Sequence, residues 1–180
     1  MTKIQTDISR QEIHIEGITF TAADARLASD GGPSRLQHLF SEDKSGFKSS
    51  LADFLAEWFN ETDTVKVHTS GSTGTPKELW VEKRRMMESA RLTVNFLDLQ
   101  PKDTALLCMP LQYIAGKMVV VRSLVADLNL LPVAPCSRPL QYLETAPDFA
   151  AMVPLQVYTS IQNPRDKELL RQTRHLIIGG

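Results

Sequence analysis

The alternation of apolar and polar positions near the N-terminus predicts two short strands. From residue 13 to residue 20 the two classes alternate, and Gly17 interrupts the run, which is typical of strands joined by a tight turn. In this pattern His14 points to the opposite side from the two isoleucines beside it. We therefore expect a strand pair with His14 at the surface.

Two later segments have apolar residues at helical spacing. Residues 50–59 predict a helix with one apolar face. That face consists of Leu51, Phe54, Leu55, Trp58 and Phe59. Ser50 and Asp53 form a predicted capping pair at its start. Residues 83–97 predict a second helix, and we expect its stripe of methionine and aliphatic residues to pack in the core rather than to bind a ligand.

The second half of the chain alternates apolar runs with helical segments. The predicted strands are 104–109, 128–133, 149–153 and 175–178, and the predicted helices are 114–127, 140–144 and 155–172. Pro164 interrupts the last helix, because a proline inside a helix removes a hydrogen bond. Continuously apolar strands separated by helices are typical of βα units and a buried parallel sheet. We therefore predict an α/β fold, with a mostly parallel sheet and helices on its faces.

The composition of the chain argues against several classes of partner and site. The chain has 180 residues, of which 42% are hydrophobic, and a formal net charge of −1. Because acids and bases are interspersed, we expect neither a nucleic-acid partner nor a membrane-surface partner. The N-terminus lacks an apolar signal segment and no apolar run reaches about 18 residues, so we predict a soluble, cytoplasmic chain without a membrane span. Cys108 and Cys136 lack the spacing of a zinc site, so we expect buried free thiols.

The stretch T-S-G-S-T-G-T-P-K, from Thr69 to Lys77, carries chemistry that restricts the function, and we call it the phosphate loop. Its glycines allow close backbone approach, and successive N–H groups in such a turn can face an anion. The hydroxyls add donors, and Lys77 adds a compact positive charge suited to phosphate. A flexible linker is the alternative interpretation of this composition. Strand-like segments on both sides, at 65–68 and 79–81, favour a phosphate-binding loop.

The phosphate loop is not a Walker loop, which requires G-x-x-x-x-G-K-[ST]. Counting from Gly71, Pro76 occupies the position of the second glycine. Glu78 stands where the hydroxyl that binds magnesium would follow the lysine. The candidate phosphate-binding residues are Thr69, Ser70, Gly71, Ser72, Thr73, Gly74, Thr75 and Lys77.

Three segments that contain glycine or proline follow predicted strands, at 109–117, 153–156 and 178–180. In open α/β sheets, ligands bind beyond the carboxyl ends of the strands, so these segments are candidates for one shared site. Each segment taken alone is equally consistent with an ordinary turn. Their common position after strands favours the shared site.

The phosphate loop resembles the signature T-S-G-[ST]-T-G-x-P-K of the adenylate-forming enzymes. This family includes acyl-CoA synthetases, adenylation domains of peptide synthetases and luciferases. Residues 69–77 match every fixed position, whereas Glu78 departs from the glycine that is usual in the family. The segment 110–116 resembles the family pattern L-P-L-[FY]-H-x-x-G, with Tyr113 in place of the histidine.

Two later strand ends also resemble the family. Residues 153–154 resemble the strand end V-P-T, and residues 179–180 resemble the G-G-[AS] turn that borders the acyl substrate and adenine. The resemblance implies that the phosphate loop closes over the β- and γ-phosphates of ATP, with Lys77 as a catalytic residue. It also implies four substrate-binding positions, which are Tyr113, Gly116, Gly179 and Gly180.

By resemblance, the full-length enzyme joins a carboxylic acid to ATP as an acyl-adenylate and then transfers the acyl group to coenzyme A. ATP, Mg²⁺ and coenzyme A are its implied cofactors, and a small carboxylic acid is its implied partner. Residues 1–60 form a predicted lead-in of short strands and an amphipathic helix. Residues 61–180 form a predicted partial AMP-binding domain that ends before the family's Y-G-x-T-E motif and C-terminal domain. We therefore expect this chain alone to be inactive.

Among family members, the sequence Y-I-A-G-K from Tyr113 to Lys117 most resembles the O-succinylbenzoate–CoA ligases of menaquinone biosynthesis. Two alternatives stay open. One is a ligase of the same family for another aryl or acyl acid, and the other is a non-catalytic module that binds nucleotide phosphates. Lys117 is a candidate for binding the second carboxylate of O-succinylbenzoate, although a surface lysine on a helix is the favoured interpretation.

Overall fold

The structure is a computed structural model that describes residues 4–26, 32–68 and 77–179, and a six-stranded sheet forms its centre. The strands are β1 (Glu12–Ile15), β2 (Ile18–Thr21), β3 (Thr64–His68), β4 (Glu78–Glu82), β5 (Thr104–Leu107), β6 (Asn129–Pro132), β7 (Phe149–Met152) and β8 (His175–Ile178). The large sheet has the order β2-β1-β6-β5-β7-β8, and β3 pairs with β4 in a separate two-stranded sheet.

Strand directions in the large sheet confirm the predicted fold class. β1 and β2 pair antiparallel across the turn at Gly17, while β1–β6, β6–β5, β5–β7 and β7–β8 are parallel pairs. Parallel pairs require crossover connections, and helices supply them here. The fold is therefore α/β with a mostly parallel sheet, as the alternation of apolar runs and helical segments predicted.

Helices cover both faces of this sheet. They are α1 (Ala22–Ala25), α2 (Arg35–Leu39), α3 (Phe47–Trp58), α4 (Lys83–Phe96), α5 (Ile114–Ala126), α6 (Pro154–Ile161) and α7 (Pro164–Gln172), with 3₁₀ turns at Ile8–Arg10 and Pro139–Tyr142. Side chains of β5 alternate between two hydrophobic clusters. Ala105 and Leu107 pack with residues of α3, α4 and α5, whereas Leu106 and Cys108 pack with residues of α7. In the part of the chain that the structure describes, no helix has the length and apolarity to cross a membrane.

The start of α3 differs from the prediction. The helix begins at Phe47, and Gly46 precedes it with a φ of 68°, a left-handed conformation that favours glycine. Ser50 lies inside the helix, where its hydroxyl donates to the Gly46 carbonyl at 2.9 Å. Asp53 accepts a hydrogen bond from Gln37 at 2.7 Å. The predicted capping pair is therefore wrong, because the buried Phe47 extends the apolar face by one further turn.

The predicted surface position of His14 is also wrong. His14 is only 8% exposed. Its Nδ1 lies 2.7 Å from the Thr19 hydroxyl, and its Nε2 lies 2.5 Å from both Asp127 Oδ1 and Lys102 Nζ. Alternation correctly separated His14 from its apolar neighbours, but β6 lies beside β1 and brings Asp127 over the polar side.

Candidate functional site

The two-stranded sheet carries the ends of the phosphate loop. β3 and β4 pair antiparallel in a register that places His68 opposite Glu78. The predicted residues Thr69, Ser70, Gly71, Ser72, Thr73, Gly74 and Thr75 lie outside the described residues, as does Gly180. Lys77 is described, and it is exposed immediately before β4. The two strands predicted around the loop are thus confirmed, and they deliver both loop ends to one place.

The strand that leads into the phosphate loop contacts the segment after β5. The His68 N–H donates to the Gln112 carbonyl at 2.9 Å, and His68 forms a parallel bridge with Tyr113. The loop therefore begins directly beside the segment that the family pattern predicts at the acyl substrate. Two motifs more than forty positions apart in sequence come together here.

Gly116 allows the first turn of α5 to approach that segment. A Cβ at Gly116 would lie 2.5 Å from the Pro110 carbonyl oxygen and 2.9 Å from the Met109 carbonyl oxygen. Contacts this short do not occur for real side chains, so a glycine is required unless the backbone moves. Tyr113 precedes the helix and is half-buried. The missing side chain at Gly116 therefore allows Tyr113 and the start of α5 to lie close to the carboxyl end of β5.

Gln156 ties together the carboxyl ends of several strands, and sequence reasoning assigned it no role. It is 5% exposed and lies in the first turn of α6. Its amide nitrogen donates to the carbonyls of Cys108 at 2.9 Å and Cys136 at 3.0 Å. Its amide oxygen accepts from the Val153 N–H at 3.0 Å. The signal in the sequence was a polar residue four positions after the buried strand β7, within the candidate segment 153–156.

Gly179 lies at the same edge of the sheet. Its N–H donates to the Met152 carbonyl at 3.1 Å, so it continues the pairing of β8 with β7. A Cβ at Gly179 would meet no atom within 4 Å. The described structure therefore places Tyr113, Gly116 and Gly179 at the carboxyl ends of the strands, where the three predicted segments were expected to meet.

Charged groups surround the base of the phosphate loop. Glu78, which replaces the glycine usual in the family pattern, forms an ion pair with Lys66, and its Oε1 lies 3.4 Å from His68 Nε2. The hydrogen bond from the Lys66 ammonium, together with its charge and that of His68, lowers the pKa of the Glu78 carboxyl. This carboxylate is therefore ionised and neutralised within the strand pair next to the phosphate loop.

Lys117 is not a surface lysine, and that prediction is wrong. It is 6% exposed, and its ammonium points toward α3 and β3, with Glu57 Oε2 at 3.0 Å. The ring of Phe54 lies 4.7 Å from the same ammonium. A position on helical α5 does not by itself imply exposure, because almost every residue of this helix is buried.

Both cysteines are free thiols, as predicted, but only Cys108 is fully buried. Burial, together with a smaller effect of the nearby Cys136, raises the pKa of the Cys108 thiol to about 12. The thiol therefore stays protonated at neutral pH. Within residues 4–26, 32–68 and 77–179, no group of three or more histidine, cysteine or acidic residues is arranged to hold a metal ion.

Comparison with known proteins bears on the family. No family model matches the chain, and no curated protein matches it. Among solved structures, the chain is similar to an acyl-CoA synthetase (AMP-forming)/AMP-acid ligase II-like protein from Dyadobacter fermentans, with 33% sequence identity and a TM-score of 0.70. The match covers 76% of this chain and 39% of that protein. Over three quarters of its length, the chain is therefore similar in sequence and in fold to an AMP-forming acid ligase.

Two more distant structures share the fold. ATP-bound MatB from Rhodopseudomonas palustris is 23% identical with a TM-score of 0.52, and the match covers 64% of this chain and 24% of that one. The O-succinylbenzoate coenzyme A synthetase MenE from Bacillus subtilis, in complex with AMP, is 17% identical with a TM-score of 0.51, covering 72% and 36%. The chain has the fold of the N-terminal domain of adenylate-forming enzymes and spans 39% of the length of the Dyadobacter protein.

Proposed function

We propose that this chain is the N-terminal part of an ATP-dependent acid–CoA ligase and supplies the loop that binds the ATP phosphates. The whole protein joins a carboxylic acid to the α-phosphate, releases pyrophosphate, and then transfers the acyl group to the thiol of coenzyme A. One observation carries the proposal. The strand that leads into the phosphate loop is hydrogen-bonded at 2.9 Å to the segment before Tyr113. This contact supports one site for the two motifs that are predicted to bind phosphate and the acyl group.

Each predicted site residue has a role in this reaction. The hydroxyls and backbone N–H groups of residues 69–75 bind the β- and γ-phosphates, and Lys77 neutralises charge that develops on the pyrophosphate leaving group. Tyr113 supplies an aromatic wall or a phenolic hydrogen bond to the acyl group, and Gly116 allows the close approach of α5. Gly179 and Gly180 border the acyl group and adenine. Mg²⁺ and coenzyme A act in the whole protein.

The proposal is tested by acid-dependent exchange of pyrophosphate into ATP, measured on the whole protein. We expect Lys77→Ala to lower the exchange rate by about a hundredfold, because it removes a charge that stabilises the transition state. Lys44→Ala is the matched control, since Lys44 is an exposed lysine in a turn far along the chain from the loop. Equal rates for wild type and Lys77→Ala would overturn the role of Lys77. ATP binding by wild type without any exchange would favour a non-catalytic nucleotide-binding module.

We further propose O-succinylbenzoate as the acid, on the basis of the Y-I-A-G-K sequence from Tyr113 to Lys117. Because the Lys117 ammonium faces Glu57, we assign the second carboxylate of this substrate to other groups. In the same exchange assay, O-succinylbenzoate is expected to support the reaction and simple fatty acids are not. Exchange with another aryl or acyl acid alone would retain the ligase function and replace this substrate.

A further inference from the structure

A buried ion pair lies beneath β3, and the proposed reaction gives it no role. Glu57 near the end of α3 and Lys117 in the first half of α5 are joined by a contact of 3.0 Å between Oε2 and Nζ. The Lys117 side chain is 7% exposed and that of Glu57 is 25% exposed. The Phe54 ring adds a cation–π contact with the ammonium at 4.7 Å. Two elements from different parts of the chain thus meet through one buried and one partly buried charge.

Both members of the pair bind the backbone of the same residue in β3. The Lys66 N–H donates to Glu57 Oε1 at 2.6 Å, and the Lys117 ammonium donates to the Lys66 carbonyl at 2.5 Å. A strand presents such groups to one edge at alternate residues. The next N–H on this edge belongs to His68, and it donates to Gln112. Glu57 and Lys117 therefore take the place that a neighbouring strand would occupy.

Packing alone does not explain why this position holds two charged side chains. Removing two charges from water is costly, and well-packed apolar residues often stabilise a fold as much as or more than a buried ion pair does. What apolar side chains could not do is bind the N–H and carbonyl of Lys66. These bonds determine where β3 lies against α3 and α5, three residues before the phosphate loop begins.

We propose that Glu57 and Lys117 are positioning residues, which hold β3 and thereby place the start of the phosphate loop beside Tyr113. The inference rests on the proposed function, since the loop is taken to bind ATP. Both side chains bind the backbone of β3, so we assign neither of them a contact with substrate. They affect catalysis indirectly, by fixing the positions of Lys66 and His68 in β3, the strand that leads into the phosphate loop.

The test compares Glu57→Leu, Lys117→Met and the double variant in the whole protein. Each single variant leaves a buried charge unpaired and is expected to lose stability. The double variant removes both charges and is expected to regain part of that loss. Catalysis is expected to behave differently: kcat/KM for ATP in pyrophosphate exchange falls by about a hundredfold in the double variant, because the loop is misplaced. The KM for the acid stays close to the wild-type value.

Lys48→Met is the matched control. Lys48 also lies on α3, pairs with Glu16 at 2.6 Å and lies over a phenylalanine ring, that of Phe40, at 5.8 Å, but it does not contact β3. We expect Lys48→Met to lose some stability and to keep kcat/KM for ATP. A double variant that recovers stability and keeps wild-type kcat/KM would overturn the inference.

Amide hydrogen exchange at Lys66 and His68 separates this inference from the proposed function. The Lys66 N–H loses its acceptor in Glu57→Leu and in the double variant, so faster exchange at both amides is expected there and not in Lys48→Met. If the wild-type protein shows no pyrophosphate exchange, the proposed function fails, and the amide measurement still decides whether the pair holds β3. Unchanged amide exchange in the double variant would contradict the inference.

Discussion

The two ends of the large sheet are stabilised in different ways. At the carboxyl ends of the strands, the connecting groups are neutral: backbone carbonyls, the Gln156 amide and a helix that approaches closely at Gly116. At the amino ends, charged side chains connect the strands. Arg174 forms ion pairs with Asp103 and, at 3.5 Å, with Asp148. Among the described residues of the large sheet, these charge pairs between strands thus lie at the amino ends, opposite the end where ligands bind in such folds.

The amino ends of β5 and β7 are joined by a reciprocal set of hydrogen bonds. The Thr104 N–H and hydroxyl each donate to Asp148 Oδ2 at 2.8 Å, and the Asp148 N–H donates to the Thr104 hydroxyl at 2.9 Å. Burial raises the pKa of the Asp148 carboxyl, but the Thr104 hydrogen bonds and the Arg174 charge outweigh it, so the pKa lies below its usual value.

This difference has a physical reason. An ion pair between strands has a defined geometry and occupies the polar groups around it. Such a pair suits the amino ends, where the strands have only to remain together. An end that binds a polyphosphate must keep backbone N–H groups and its own cation available for the ligand. We therefore expect few but strongly buried hydrogen bonds to stabilise the carboxyl ends of the strands. At the amino ends, we expect several partly exposed contacts of charged groups, whose strength depends on pH.

The largest effect is expected at the carboxyl end from Gln156→Met. The substitution nearly preserves volume but leaves the buried Cys108 carbonyl, the partly buried Cys136 carbonyl and the Val153 N–H without their partner. We expect a loss of about 3 kcal/mol in the free energy of unfolding, since each unsatisfied buried group costs about 1–3 kcal/mol. Urea denaturation measures it, with exposed Gln162→Met as the control. A loss no larger than that of the control would show that the neutral network contributes little.

A smaller effect is expected from Gly116→Ala at the same end. The new Cβ would lie 2.5 Å from the Pro110 carbonyl oxygen, so α5 or the segment after β5 must shift. Overpacking of this kind costs about 2 kcal/mol. Gly179→Ala is the matched control, because its Cβ would meet no atom within 4 Å. Equal unfolding midpoints for the two alanine variants would contradict the requirement for glycine at position 116.

The smallest effect is expected at the amino end from Asp148→Asn, about 1 kcal/mol at neutral pH, because water screens this partly exposed carboxylate. The folded-state pKa of Asp148 is lowered, so its stabilising contribution is present above the unfolded value of about 3.9 and is lost as pH falls through the folded value. The difference in unfolding free energy between wild type and Asp148→Asn should therefore shrink from pH 6 toward about pH 3. A difference that grows on acidification would reverse the assignment.

Local patterns predicted the elements and their order well, for reasons visible in particular segments. The alternation around Gly17 predicted β1 and β2, and the apolar run at 104–109 predicted a strand buried on both faces. Pro164 predicted the break that separates α6 from α7. The phosphate loop and the family pattern around Gly116 were also readable locally, since each depends on residue types at fixed spacing. The roles assigned to the site residues stay predictions.

Contacts between residues far apart in the sequence could not be predicted from local patterns. The side chains of Glu57 and Lys117 are separated by 60 positions, and those of His14 and Asp127 by 113. Gln156 binds the Cys108 carbonyl 48 positions away. Each of these polar residues is typical of a surface when its neighbours in sequence are considered alone. Whether it is buried depends on a partner that only the folded chain brings within reach.

The sequence by itself thus determined the α/β class, the order of the strands and of the longer helices, and the residue types of the phosphate loop, because periodicity and turn chemistry act over a few residues. Only the tertiary structure decided that His68 lies against Gln112, that Gly116 must lack a side chain, and that Lys117 points inward to β3. The physical reason is the same for all three. Hydrogen bonds and close backbone contacts between separate elements depend on how those elements pack, and periodicity does not encode packing at that resolution.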